Sequence, residues 1–334
     1  MPSVEKTQDL LSNLVSTKIL SGIQVTSHVL GGVLNIGTFP LLSSVIPKNA
    51  KYRMRQVSGE AAIRGMNTAV LWSPFFVSFA VGQLYLPSQS AWLGIAFGLL
   101  VALLFNLISI RFLIGKFTLS YLFEAVSCVK PIFPRLLILS LSVLAVGQIF
   151  DKTALNAIVI VIPILVVVQM LRRPETTKSI ISNLNNLILK SGDEMLLISV
   201  SMFLGSILSG SVEIQTFISN NIGNNFPFWA MIILLPLIVW IFGLIGIHPI
   251  ITSAPILSLF GPLLSLWEAA FLMQAHLIGW CAGTATSFTS LSVLTTAENF
   301  RLSVLKLVFG PNLIATGSLT VIGALLLIAL NYFL

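Results

Sequence analysis

Charge is scarce in this sequence. Of 334 residues only 9% are Asp, Glu, Lys or Arg, while 56% are hydrophobic, against about 25% charged in an ordinary soluble domain. So few charges cannot cover a water-exposed surface, and lipid must be the solvent for most of the chain. Cysteine is nearly missing. Cys128 and Cys281 stand far apart, which excludes a disulfide framework or a paired-cysteine metal site. Carboxylates are almost absent from the apolar runs, so a catalytic acid cluster has no material there. The net charge of +7 is spread over loops and reads as membrane topology, with no nucleic-acid partner. No ATP-binding motif occurs. The opening MPSVEKTQDLLSNLVS, carrying Glu5, Lys6 and Asp9, does not read as a cleavable signal.

What is present is a series of apolar runs long enough to cross a ~30 Å hydrocarbon layer as helices. Spans are expected over 60–86, 91–114, 134–150, 154–171, 193–211, 269–297 and 303–333. Two further apolar regions, 10–47 and 228–266, have centres rich in Gly, Pro, Ser and Thr and read as re-entrant hairpins. The expected fold is an all-α polytopic membrane protein with about seven transmembrane helices plus two hairpins. Basic residues test the orientation. Lys48, Lys51, Arg53 and Arg55 form one cluster, Lys116, Lys130 and Arg135 a second, and Arg172, Arg173 and Lys178 a third. The intervening turns 85–90, 151–153 and 211–227 are nearly free of them. That alternation holds only if each odd region enters and leaves on one side. The stretch 174–194 has the spacing of an amphipathic helix lying on the cytoplasmic surface.

The two halves resemble each other. IQVTSHVLGGVLNIGTFPLL precedes a span containing GMNT (65–68), and GLIGIHPIITSAPILSLFGP precedes a span containing GTAT (283–286). Each hairpin carries a histidine, and His28 to Gly65 is nearly as long a step as His248 to Gly283. By the charge count the copies run in opposite directions, an inverted-topology repeat of 1–114 and 115–334, which marks secondary transporters. Three crossings precede the second hairpin and none the first, so a matching scaffold is expected upstream of Met1.

Broken helices at membrane depth expose backbone groups that persist only when buried in protein or lining a cavity. Half-helix N-termini suit an anion, and hydroxyl or amide oxygens suit Na⁺. The candidate binding residues in the first copy are His28, Asn35, Asn67, Thr68 and Ser73. In the second copy they are His248, Thr252, Ser253, Thr284, Thr286, Ser287 and Thr289. The competing reading of each hydroxyl is a bond to its own helix, and of each histidine a neutral ring bonded to a neighbour. Arg64, just before GMNT, either pairs with an anion or snorkels to the basic loop. A metal at His28 and His248 lacks acidic or cysteine neighbours. No catalytic or metal residue and no resident cofactor is expected.

GMNTAVLWSP, GTATSFTS and the tips TSHVLGG and HPIITSAP are similar in placement to motifs of the ion transporter superfamily, which includes the divalent anion/sodium symporters. The Ser-Asn-Thr tips of its dicarboxylate members are absent. The resemblance implies a homodimer in a membrane, working by an elevator-like movement and coupled to Na⁺ or H⁺. The expected function is ion-coupled secondary transport of small anionic organic solutes across a bacterial cytoplasmic membrane. A passive channel and an intramembrane enzyme acting on lipid-linked substrates are the alternatives.

Overall fold

The computed structural model describes residues 2–14, 18–47, 49–115, 119–150, 154–190, 192–223 and 226–333. Lys48, Lys116 and the 151–153 turn lie outside them. Helices α1 (Pro2–Ser12), α2 (Ile19–Leu34) and α3 (Thr38–Ser43) lead into α4 (Tyr52–Ala69), α5 (Val77–Tyr85) and α6 (Ser88–Ser109). The middle of the chain forms α7 (Leu119–Val129), α8 (Phe133–Ile149), α9 (Ala154–Arg172), α10 (Thr177–Lys190), α11 (Gly192–Gly210) and α12 (Val212–Ile218). The last part forms α13 (Phe228–Leu244), α14 (Pro249–Phe260), α15 (Leu266–Thr286), α16 (Leu291–Phe300), α17 (Val304–Val308) and α18 (Pro311–Phe333). No strand occurs among the described residues.

Four helical runs are long and apolar enough to cross a membrane: Ile19–Ser43, Trp92–Ile114, Leu266–Phe300 and Val304–Phe333. Two bent pairs, Leu122–Val129 with Phe133–Ile149 and Ile198–Gly210 with Val212–Asn221, raise the number to six by length and composition. This is an all-helical, multi-pass membrane protein. Helix α4 carries Arg53, Arg55, Glu60 and Arg64, too many charges to face lipid; its second half is buried in protein instead.

Two helix pairs build the centre. Along α2 and α4 the contacts advance together: Ser27 Oγ donates to Ala62 O at 2.7 Å, Gly31 packs on Met66, and Gly32 on the Trp72 ring. These helices run parallel, so the chain reverses between them through α3. In the same way Gly279 packs on Pro236 and Gly243 on Gly283, making α13 and α15 parallel with α14 as the return leg. Both reversals pivot on a left-handed residue, Asn35 at φ 51° and Gly246 at φ 88°, the residue types that tolerate it. Close approach is the reason for glycine here: a Cβ on Gly243 would lie 2.9 Å from the Gly283 Cα.

The two interrupted helices, α4–α5 and α15–α16, cross in opposite directions. Gly59 meets Thr296, Asn67 meets Thr284, and Gly82 meets Met273. With Gly65 as the counterpart of Gly283, Ser78 matches Thr296 and Ser58 matches His276. The His276–Ser78 bond and the Gly59–Thr296 contact then fall at corresponding places. Helix α15 lies at the middle and is buried on all sides from Ala269 to Gly283. It therefore shows no polar stripe, and its start is set by a capping box between Ser265 and Glu268.

The breaks are not where GMNT and GTAT place them. Asn67 Nδ2 donates to Ile63 O at 3.0 Å, and Thr68 and Thr286 donate to Arg64 O and Ala282 O at 2.9 and 2.8 Å. Such back-bonds let polar residues remain helical. The chain unwinds one turn later, at 70–76 and 287–290. Pro74 has no N–H and holds Ser73 out of the helical region. Ser290 then caps α16, its Oγ accepting from Val293 N at 3.2 Å.

Candidate functional site

Four interruptions of the chain meet at one cavity of about 120 Å³. Asn35 and Ile36 reach it from the α2–α3 turn, and His248 from the α13–α14 turn. Asn67, Val70, Phe76 and Val77 flank the first helix break; Trp280, Thr284, Ser290, Leu291 and Ser292 flank the second. Ile198 of α11 completes the wall. Across the crossing point the Thr284 hydroxyl donates to Asn67 Oδ1 at 2.7 Å. Helices α5, α14 and α16 all begin here, at Val77, Pro249 and Leu291. Their partial positive ends share one space, and among the described residues neither a carboxylate nor a cationic side chain lines it.

Unwound backbone buried at this depth must find partners, and much of it does. Ser73 Oγ donates to Gly32 O. Ser290 Oγ donates to Thr284 O at 2.6 Å, and Thr289 Oγ1 to Gly246 O at 2.9 Å. With its amide oriented by this network, Gln274 Nε2 donates to Leu71 O at 3.2 Å and Gly94 O at 3.0 Å. These carbonyls are therefore engaged.

The three histidines differ. His28 sits in the middle of α2, two turns before the hairpin pivot. Its Nε2 accepts from Trp72 Nε1–H at 3.1 Å, so the other ring nitrogen carries the proton. That Nδ1–H faces Thr68 Oγ1 at 3.0 Å and Gly65 O at 3.3 Å. Both ring nitrogens are used within the protein, away from the cavity. His248 precedes Pro249, the first residue of α14, and its Nδ1 accepts from Ile250 N at 3.3 Å. This leaves Nε2–H as the donor on a residue lining the cavity. His276 donates from Nε2 to Ser78 O at 2.9 Å, while its buried Nδ1 has no partner. The rings of His248 and His276 both stand edge-on to Trp280, at 5.5 and 5.4 Å.

Beside the cavity lies a buried polar network. Arg64 is 3% exposed, so it does not snorkel. Its Nε donates to Gln24 Oε1 at 3.2 Å and its Nη1 to Asn312 Oδ1 at 2.7 Å. Glu60, one turn earlier on α4 and equally buried, attracts it electrostatically. Glu60 accepts from Gln56 Nε2 at 3.0 Å, and its Oε1 faces Gly310 just before α18, where the helix end favours a negative charge. Gln24 also donates to Asn106 Oδ1 and Ser109 Oγ, and Asn106 donates to Thr68 Oγ1.

Of the residues singled out from sequence, the structure brings Asn35, Asn67, His248 and Thr284 to the cavity. His28, Thr68 and Ser73 serve the α2–α4 contact. Thr252 and Ser253 bond Pro249 O in their own helix, and Thr286 bonds Ala282 O. Ser287 and Thr289 bond each other at 3.0 Å. Sequence reasoning missed Trp280, Ser290 and Ser292 in the wall, and Gln24, Glu60, Asn106 and Asn312 in the network. Gln24, Asn106 and Asn312 are amides within apolar runs, while Glu60 shares a face of α4 with Gln56 and Arg64; polar groups at that depth were the available signal. Among the described residues no three His, Cys, Asp or Glu side chains cluster as a metal site. No protein-family model matches the sequence, and no curated protein matches it.

Proposed function

We propose that this chain is an ion-coupled secondary transporter of small anionic organic solutes, of the kind found in the ion transporter superfamily that it resembles. The observation that carries this reading is the convergence of four chain interruptions on one cavity. Interrupted helices buried at membrane depth are the means by which transporters present helix ends to a solute. In this reading α2–α3 and α13–α14 are re-entrant hairpins, about seven helices span the bilayer, and the two copies are inverted. The antiparallel crossing of α4–α5 and α15–α16 supports that arrangement. Three helix N-termini and a wall without carboxylates favour an anion. His248 Nε2–H is a further donor. The oxygens of Asn67, Thr284, Ser290 and Ser292 suit a coupling Na⁺, with H⁺ the alternative. A cavity of about 120 Å³ is well below the ~300–1,000 Å³ of drug-sized sites, so the solute is small. The protein would work as a homodimer in a bacterial cytoplasmic membrane.

The test is thermal unfolding of the detergent-purified protein against small carboxylates and inorganic anions, in Na⁺ or choline, at two pH values. A ligand that binds only the folded state at a hundred times its Kd stabilises by about 2.7 kcal/mol. One carboxylate class should raise the melting temperature, more so in Na⁺ or at the lower pH, and Asn67→Ala and Thr284→Val should remove the shift. If no anion shifts the transition at millimolar concentration in any condition, the reading fails.

A further inference from the structure

Away from that cavity lies a groove of about 820 Å³ between α8 and α9, closed at one side by α1, the end of α2 and Ile180 of α10. Helices α8 and α9 are consecutive in the chain and pack as neighbours. Their sequence positions place Arg135, in the first turn of α8, level with Arg172 and Arg173 at the end of α9. All three arginines line the groove at this one end. Beyond them the wall is apolar, built from side chains such as Leu136, Leu139, Leu165 and Val166, and it reaches Ser142 and Ile162. From Arg135 to Ser142 a helix rises about 10 Å, within the depth of one leaflet. Among the described residues no carboxylate lines the groove.

An apolar wall alone would take any lipid chain. The Arg135 and Arg172 guanidinium groups at the mouth add a preference, since arginine forks match a phosphate. They also lie on the side that the basic-loop count makes cytoplasmic, where anionic headgroups are found. The exposed arginine pair Arg135 and Arg172 can engage a headgroup without desolvating a buried cation. Amphipathic α10, bearing Ile180, covers the mouth from the interface. We propose that this groove binds one anionic phospholipid, with an acyl chain between α8 and α9 and the phosphate at Arg135 and Arg172. The site is independent of the solute cavity.

Native mass spectrometry of the delipidated full chain, titrated with dioleoylphosphatidylglycerol or dioleoylphosphatidylcholine in mixed micelles, tests this. The phosphatidylglycerol should bind about 25-fold more tightly, because each of the two cations Arg135 and Arg172 favours an anionic lipid by about a factor of five. Arg135→Gln with Arg172→Gln should equalise the two lipids. Leu139→Trp, which fills the apolar wall while keeping the charges, should weaken both. Equal retention of both lipids by the unaltered chain would overturn the proposal, as would selectivity that survives the double arginine change. Two controls separate other occupants. Glycerol phosphate stabilising the protein as much as the lipid would make this a site for a soluble anion. Burial of the groove between two copies, seen as a dimer that Leu139→Trp dissociates, would make it an interface. Either result refutes the lipid assignment.

Discussion

Replacing Arg64 with Met is the sharpest test of how the two halves of this molecule are joined. Arg64 belongs to the first half and its partner Asn312 to the last helix. The substitution removes the donors to Gln24 Oε1 and Asn312 Oδ1 and leaves Glu60 buried beside no cation. Leaving a buried carboxylate without its nearest cation costs up to about 3–5 kcal/mol, the figure for a closer buried pair broken from one side, most of it the penalty of the charge left behind. Changing Glu60→Gln as well removes that stranded charge. The double variant should then lose only the unpaired amide oxygens, about 1–3 kcal/mol, and be more stable than Arg64→Met alone. The double variant should therefore be about 2 kcal/mol more stable than Arg64→Met, and the coupling exceeds that by the cost of Glu60→Gln alone. Unfolding of wild type, both single variants and the double variant in one detergent, followed by tryptophan fluorescence, measures it. At about 2 °C per kcal/mol for a chain this large, Arg64→Met should melt up to about 6–10 °C lower. If the two changes simply add, Glu60 and Arg64 do not act as a pair, and the account of this network is wrong.

Other expectations are smaller or more local. Lys18 and Glu124 bond at 2.8 Å but are partly exposed, 22% and 43%; Lys18→Ala should cost less than about 1 kcal/mol, and a larger loss in the same unfolding assay would contradict that. Gly283→Val should destabilise by the ~1–3 kcal/mol of an overpacked core, because a Cβ there would lie 3.2 Å from Val239 O and 3.3 Å from Pro249 Cγ; unchanged stability would mean that α13 and α15 do not pack as described. His28→Gln should retain solute-induced stabilisation while lowering the basal melting temperature, since His28 bonds Trp72 and Thr68 away from the cavity. His248→Ala should do the reverse. An exchange of these two phenotypes would move the site to the α2–α4 contact.

Much of the helical plan is readable in the sequence. The edges of 91–114 and 303–333 agree closely with Trp92–Ile114 and Val304–Phe333, because both are strongly apolar over most of their length. The breaks were harder. Glycine beside threonine marks where helices approach, and Gly65 and Gly283 are contact points of that kind. It does not mark where they unwind, because Thr68 and Thr286 satisfy themselves within the helix. Asn67 was legible as a lone amide in an apolar run. Its role at the crossing was not, since the partner Thr284 lies in the other half of the chain.

By itself the sequence determined the solvent of this protein, its helical class and the resemblance of its halves, because composition and periodicity are local properties that lipid reads directly. Only the tertiary structure decided which polar residues are spent on holding helices together and which remain at a cavity. His28 and His248 look alike along the chain, yet one is enclosed by Trp72 and Thr68 while the other lines the open space. That difference depends on partners far away in sequence. A buried polar group takes the nearest available partner, and folding alone sets which partner is near.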